Sequence, residues 1–223
     1  MGDKAEMAAI SETLLEIYHR LLARYGPQRW WPADDPFEVI VGAILTQSAA
    51  WTNVEQAIAN LKGAGALTPT ALHHLPVDRL AHLIRPSGYY NAKALKLKAF
   101  AERLHCQYDS DLGRLFALDT PQLRHELLSI HGIGEETADS IILYAAKRPI
   151  FVIDAYTRRI LIRLGLAPET DSYGAFQSLF AEYLPEDEGL YNEYHALLVR
   201  HGKGVCRKVP LCPICCLREH CPY

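Results

Sequence analysis

Apolar residues recur at helical spacing along almost the whole chain. In the first segment Leu14, Tyr18 and Leu21 are three or four positions apart, and Gly26 follows the last apolar residue, as expected where an amphipathic helix ends. Alternation typical of a strand is limited to PIFVI at 149–153, and this segment fits a short strand and a buried connector equally. The pattern predicts an all-α fold.

Polar residues and prolines mark where these helices begin. Ser11 precedes the first apolar run, and we expect it to cap that helix. Asp35 and Pro36 precede FEVIVGAILTQ, a segment that is apolar on nearly all sides and is therefore expected to be buried. Thr120 and Pro121 form a similar pair before QLRHELLSI. These signals predict many short helices.

The composition is that of a globular protein, with 49% hydrophobic and 22% charged residues. No apolar run reaches the roughly 20 residues of a membrane-spanning helix, so no membrane partner is expected. The opening MGDKAEMAAI contains acidic residues and lacks the apolar core of a secretion signal. We therefore predict a cytoplasmic location.

The net charge of −3 is unusual for a protein that binds nucleic acid, because such binding rests on Lys and Arg at phosphates. A nucleic-acid binder with this charge would need local positive patches. Two clusters could supply them: Lys93, Lys96, Lys98 and Arg103, or Lys203, Arg207 and Lys208.

Residues 121–147 are predicted to form two helices joined by the loop HGIG. Gly132 and Gly134 permit positive φ and leave no side chains to keep a ligand from the backbone. The second helix starts at once, so its unpaired N–H groups could bind a DNA phosphate, with a K+ or Na+ ion bridging loop carbonyls to it. An ordinary helical hairpin is the alternative interpretation.

Five of the six cysteines lie near the C-terminus. Four of them have the spacing C-x5-C-x2-C-x5-C, at Cys206, Cys212, Cys215 and Cys221. In a reducing compartment this spacing predicts a cage for zinc or for a four-iron cluster. Cys216 offers an alternative register. Arg207 and Lys208 lie inside the loop and could contact phosphates.

These motifs together resemble the endonuclease III superfamily of DNA glycosylases. The resemblance implies two helical lobes flanking a DNA-binding cleft. One lobe is residues 1–33 with 149–223 and carries a [4Fe-4S] cluster, and the other is a six-helix barrel of residues 34–148. The family's cysteine loop reads C-x6-C-x2-C-x5-C, so the first gap is one residue shorter here. The matching hairpin and catalytic positions are Ile130, Gly132, Ile133, Gly134, Thr137, Ala138, Ile153, Asp154 and Arg159.

The resemblance also assigns roles to single residues. Bifunctional members use a lysine two residues beyond the second glycine as a Schiff-base nucleophile, and this chain has Glu136 there. Glu136 is the one candidate general acid, and we predict it as a catalytic residue together with Asp154. Asp154 matches the catalytic aspartate, which stabilises an oxocarbenium ion and orients water, and it could also cap a helix. Gln47 matches the residue that fills the gap left by the flipped nucleotide, although it also reads as a polar helix end.

All three tryptophans, Trp30, Trp31 and Trp51, lie within 22 residues. They could be core residues, but together with Gln47, Glu136 and Asp154 they resemble the MagIII group of 3-methyladenine glycosylases. In that group aromatic residues sandwich the flipped base and the hairpin lysine is a glutamate. MagIII proteins lack the cluster, so the chain would be a cluster-bearing relative.

We therefore predict a monomeric, monofunctional glycosylase that removes alkylated purines from double-stranded DNA. An endonuclease III-like enzyme for oxidised pyrimidines, uracil or mismatched bases is the alternative within the same class. A non-catalytic DNA-binding paralogue would have no need of the Asp154 carboxylate. An iron–sulfur electron-transfer module would leave the hairpin without a role.

Overall fold

The computed structural model describes residues 2–33 and 35–223. Met1 and Asp34, which begin the two predicted lobe segments, lie outside the described residues. Within them, helices are joined by turns and no strand occurs, which confirms the all-α prediction. None of the described helices is long and apolar enough to span a membrane. The helices are α1 (Gly2–Tyr25), α2 (Pro36–Leu45), α3 (Trp51–Gly63), α4 (Pro69–His74), α5 (Val77–Leu83), α6 (Tyr90–Tyr108), α7 (Leu112–Phe116), α8 (Thr120–Leu128), α9 (Glu135–Ser140), α10 (Ala155–Arg163), α11 (Tyr173–Tyr183) and α12 (Glu188–Gly204).

The chain divides into two compact units. The hairpin unit is Trp31–Lys147, and the terminal unit combines Met1–Trp30 with Arg148–Tyr223. In the hairpin unit α9 continues into a π-helical turn, Ile141–Ala145, and a 3₁₀ turn lies at Arg85–Ser87. The terminal unit has 3₁₀ turns at Cys212–Ile214 and Arg218–His220.

Helix α2 is the centre of the hairpin unit. All of its residues after Pro36 are buried, as the apolar pattern predicted, and it packs against α3, α6, α9 and the π-helical turn. The Asp35 carboxylate accepts from the backbone N–H groups of Phe37 and Glu38 at 2.7 and 3.0 Å, so Asp35 is the predicted cap. The Asp35 cap and the burial of the apolar residues that follow it therefore match what the sequence predicted for α2.

Two other predicted helix starts were wrong. Ser11 lies inside α1, which begins at Gly2 because the polar and alanine-rich residues before the serine are themselves compatible with a helix. Helix α8 is capped by Asp119 rather than Thr120. The Asp119 carboxylate accepts from the Gln122 backbone at 2.8 Å, and the Gln122 side chain accepts from the Asp119 N–H at 3.4 Å. These two reciprocal hydrogen bonds satisfy two backbone N–H groups at the start of α8.

Two lysines of α6 that we expected in a positive patch bind backbone carbonyls instead. Lys93 is buried and donates to the carbonyls of Leu45 and Ser87 at 2.8 and 2.7 Å. Burial lowers its pKa, and the neighbouring charge of Lys96 lowers it further. Lys98 donates to carbonyls at the end of α4, including that of Leu75 at 3.1 Å. Helix C-termini expose carbonyls that need donors, and these lysines supply them.

The two hairpin helices, α8 and α9, are joined by a bidentate ion pair. Arg124 donates to both carboxylate oxygens of Asp139 at 2.7 and 3.2 Å, and Asp139 is fully buried. The pairing raises the pKa of Arg124 through its hydrogen bond to Asp139. A buried carboxylate depends on such a partner, so this pair stabilises the packing of α8 against α9.

In the terminal unit, α1 packs on α11 and α12, and α10 packs on α12. Of the two possibilities for residues 149–153, the structure shows the connector: the segment is neither helix nor strand, and Phe151 to Ile153 are buried. Phe151 stacks on Phe180, and the buried Tyr194 hydroxyl donates to the Leu14 carbonyl at 2.8 Å. These contacts pack the terminal unit around the connector that leads to residue 154 at the start of α10.

The hairpin pair leads to a stability prediction. Replacing Arg124 by Met leaves the Asp139 carboxylate buried without its guanidinium, so we expect a loss of about 3 kcal/mol or more in the free energy of unfolding. Urea unfolding followed by circular dichroism measures this loss. Arg114→Met is the matched control, because Arg114 pairs with Asp109 at the surface, where both side chains are largely exposed. Equal effects of the two substitutions would contradict a structural role for the Arg124 pair.

Candidate functional site

Position 132 of the hairpin loop requires glycine for two reasons. Gly132 has φ +84°, and a Cβ there would lie 2.3 Å from Cγ of Lys96. Gly134 is extended at the start of α9, and a Cβ there would meet no atom within 4 Å. Ile130 and Ile133 are buried and anchor the loop. The loop is therefore well anchored, and the space beside Gly134 at the start of α9 is open.

The start of α9 is acidic. Glu135 and Glu136 occupy its first turn and are both exposed. Two carboxylates suit the positive end of a helix, but they weaken the attraction of this end for a phosphate. Glu136 also occupies the position where a Schiff-base lysine would stand, and a carboxylate cannot form an imine.

Gln47 follows α2 and binds the hairpin. Its Nε2 donates to the Gly132 carbonyl at 3.2 Å and to the Thr137 hydroxyl at 2.9 Å, and its Oε1 accepts from the Lys96 ammonium. The side chain is thus held inside the hairpin unit. Its predicted insertion into DNA stays a prediction, and it requires these hydrogen bonds to be exchanged.

The structure brings together two of the three tryptophans. Trp31 and Trp51 meet edge to face with ring centroids 5.2 Å apart, and Tyr144 lies 5.4 Å from Trp31. A Cβ on Gly42 would be 3.0 Å from the Trp31 ring, so a glycine in α2 makes room for the indole. Both tryptophans are partly exposed. They form a corner of perpendicular rings, not two parallel walls.

Trp30 belongs to the terminal unit, since the division between the units falls directly after it. Its ring lies 6.0 Å from the ammonium of Lys203, which also lies 5.9 Å from the Tyr156 ring. Trp30 therefore contacts Lys203 of α12 within the terminal unit.

Asp154 caps α10 and is 9% exposed. Its Oδ1 accepts from the Thr157 backbone at 2.7 Å, and its Oδ2 lies 3.9 Å from Nε2 of His195. Burial lowers the pKa of His195 and the Lys203 charge lowers it further, while Asp154 acts in the opposite direction. His195 was not among the predicted site residues, since a histidine between apolar and aromatic residues of a helix looks like a core residue.

The cysteine loop is held by two arginines of α10. Arg159 donates to the carbonyls of Cys206 and Gly202 at 2.9 and 3.0 Å. Arg163 donates to the carbonyls of Arg207 and Lys208 at 2.6 and 3.0 Å. The Arg207 and Lys208 side chains are exposed, so their charges face solvent while their backbone is fixed.

Two thiol groups of the loop accept hydrogen bonds, but the thiols are not arranged around a metal site. Arg163 donates to Sγ of Cys206 at 3.3 Å, and the Leu217 backbone donates to Sγ of Cys215 at 3.4 Å. Burial raises the pKa of Cys215, and negative charge on Cys206 and Cys221 raises it further. Over the described part of the chain, no group of three or more His, Cys, Asp or Glu side chains is arranged to hold a metal ion.

Comparison with known proteins gives one family. Residues 41–186 match the model of the HhH-GPD superfamily base excision DNA repair proteins. A Methanocaldococcus jannaschii protein, named as a DNA repair glycosylase of unproven activity, is 47% identical over 94% of this chain and 96% of its own length. Endonuclease III of Sulfolobus acidocaldarius is 31% identical over 84% of this chain and 82% of its own.

Solved structures show the same fold. The 3-methyladenine DNA glycosylase MagIII of H. pylori, bound to 1,N6-ethenoadenine, has a TM-score of 0.74 and 27% identity over 88% of this chain and 97% of its own. A non-covalent endonuclease III–DNA complex has a TM-score of 0.81 and 21% identity, over 95% of both chains. The second likeness concerns the fold alone.

Proposed function

The chain belongs to the HhH-GPD superfamily of base excision DNA repair proteins, and we propose that it is a monofunctional DNA glycosylase that removes alkylated purines. Damaged double-stranded DNA is then its substrate, and an abasic site is its product. The carboxylate of Asp154, which caps α10, carries the hydrolytic part of this proposal. The corner formed by Trp31 and Trp51 carries the substrate class.

Asp154 has the features that sugar hydrolysis requires. One oxygen is fixed by the Thr157 backbone, and the other is held near a buried His195 whose pKa is lowered. A fixed carboxylate stabilises the positive charge that develops on the sugar when the base departs, and it orients a water toward C1′. We assign this role to Asp154 and a positioning role to His195.

The absence of an amine at position 136 supports a monofunctional enzyme. Strand cleavage by a lyase needs a covalent imine between a lysine and the sugar. Glu136 cannot form it, so the proposed reaction ends with base release. Because Glu136 is exposed in the first turn of α9, a lysine could be tolerated at the same position.

The tryptophan corner supports a cationic base as substrate. An N3- or N7-alkylated purine carries a positive charge, and its glycosidic bond is already weakened. An indole face attracts such a ring by roughly 0.5–2 kcal/mol through cation–π interaction. The likeness to MagIII, at 27% identity, favours the same substrate class.

We also propose that Cys206, Cys212, Cys215 and Cys221 bind a [4Fe-4S] cluster. Four sulfur ligands suit such a cluster, and N–H donors to the sulfurs of Cys206 and Cys215 would stabilise their thiolates. The exposed Arg207 and Lys208 would then contact DNA from a rigid loop. A K+ or Na+ ion at the hairpin carbonyls remains part of the proposal for phosphate binding.

The first prediction concerns the lyase. Borohydride should trap no adduct between the native enzyme and an abasic-site duplex, because position 136 lacks an amine. Glu136→Lys should introduce trapping, while the neighbouring Glu135→Lys should not. Gel electrophoresis of the borohydride-treated mixtures measures both. Efficient trapping by the native enzyme would show that another amine is the nucleophile.

The second prediction concerns the cluster. Purified protein should be yellow-brown, and iron analysis should find several irons per chain. Cys212→Ser should be colourless or insoluble, since such a cage contributes folding free energy. Cys216→Ser and Cys106→Ser should retain iron. Stoichiometric zinc without iron in anaerobically prepared protein would contradict the assignment, and iron loss in Cys216→Ser would favour the other register.

The third prediction concerns the substrate. The enzyme should release 3-methyladenine from methylated DNA, as measured by chromatography of the free base. Trp51→Ala should lose much of this activity but keep its fold. Asp154→Asn should be nearly inactive while it still binds DNA. Asp187→Asn is its matched control, since Asp187 caps α12 with the same 2.7 Å geometry.

The same assay separates the alternatives. Duplexes that contain uracil, thymine glycol or a mismatch should release no base at a comparable rate. Release from these duplexes but not from methylated DNA would assign the tryptophans to the core and replace the alkylpurine proposal. Binding without release from any duplex would indicate a non-catalytic paralogue.

A further inference from the structure

The side chain of Lys96 contacts two predicted DNA-binding elements at once. Its methylene groups lie against the hairpin loop, so that a Cβ on Gly132 would be 2.3, 2.6 and 2.9 Å from its Cγ, Cδ and Cε. Its ammonium donates to Oε1 of Gln47. Nε2 of the same Gln47 amide donates to the Gly132 carbonyl in the loop. Lys96, Gln47 and the loop therefore form a closed ring of contacts.

The backbone around Gln47 is fixed by other residues. Lys93, one turn before Lys96 on α6, binds the Leu45 carbonyl at 2.8 Å. The Thr46 hydroxyl donates to the Gly42 carbonyl at 2.6 Å, and Ser48 turns the chain with φ +53°. With its backbone held, the orientation of Gln47 depends on the contacts of its side chain. Lys96 supplies the contact at the amide oxygen.

Lys96 is partly exposed and differs in this from Lys93, which is buried. A buried lysine at this point would serve the fold alone. Lys93 binds backbone carbonyls, whereas the Lys96 ammonium donates to a side-chain oxygen, that of Gln47, at a partly buried contact. The contact therefore has its main effect on where the amide points.

We propose that Lys96 is a positioning residue that holds Gln47 and the hairpin loop in one arrangement before DNA binds. This inference rests on the proposed function, because it assigns Gln47 to the DNA duplex. Gln47 enters DNA by exchanging its bonds to Lys96 and the loop. An enzyme without the Lys96 ammonium starts from several orientations of the amide, and it reaches the flipped state more slowly.

The test compares Lys96→Met, Lys96→Arg, Gln47→Ala and the double variant Lys96→Met/Gln47→Ala. Methionine retains the stem against Gly132 and removes only the charge, and arginine restores it. We expect Lys96→Met to slow single-turnover base release about tenfold while the Kd for the same duplex changes by less than about twofold. Lys96→Arg should recover most of the rate. The double variant should be no slower than Gln47→Ala.

Two outcomes would overturn the inference. A tenfold loss that persists in full in the Gln47→Ala background would show that Lys96 acts independently of Gln47. A weaker Kd with a smaller salt dependence, at unchanged rate, would make Lys96 a direct phosphate contact. An unchanged rate in Lys96→Met would equally remove its positioning role.

A measurement without DNA separates this inference from the proposed function. Hydrogen exchange of the hairpin amides should be faster in Lys96→Met and restored in Lys96→Arg, whichever base the enzyme releases. Unchanged exchange would overturn the positioning role even if alkylated purines are the substrate. Altered exchange together with no release of alkylated purines would retain the positioning role and overturn the substrate proposal.

Discussion

A fold made of many short helices leaves carbonyl groups at every helix end that no residue of the same helix can bind. In this chain, long cationic side chains meet that need at two helix ends and bind backbone carbonyls of the cysteine loop as well. Lys93 binds the end of α2, Lys98 binds the end of α4, and Arg159 and Arg163 bind the backbone of the cysteine loop. The positions of α2, α4 and the loop depend on these bonds.

This use of cations changes how the charge of the protein should be interpreted. Basic residues that appear available for phosphate in the sequence are engaged with the backbone in the fold. Arg207 and Lys208 combine both features, because Arg163 holds their carbonyls and their side chains remain in solvent. In a chain of net charge −3, the side chains of these two residues are positive charges held at fixed backbone positions.

Contacts of several other kinds hold the hairpin. The Arg124–Asp139 pair joins its helices, the buried isoleucines anchor its loop, and Gln47 binds the Gly132 carbonyl. A loop that offers its backbone to a phosphate benefits from such fixation, because less ordering entropy is lost on binding. The acidic start of α9 limits the attraction for phosphate. Its second residue, Glu136, carries a carboxylate, which cannot form an imine.

The sequence by itself determined the all-α class, the buried α2, the hairpin glycines and the family, because these depend on local spacing and on short motifs. It did not determine the Asp119 cap, which the Gln122 side chain selects, or the fate of Lys93 and Lys98. It also did not show that Trp31 meets Trp51 while Trp30 lies in the other unit, or that His195 lies beside Asp154. Apart from the local Asp119–Gln122 pair, these partners come from different segments of the chain. Only tertiary packing decides which donor reaches which carbonyl and which ring meets which neighbour.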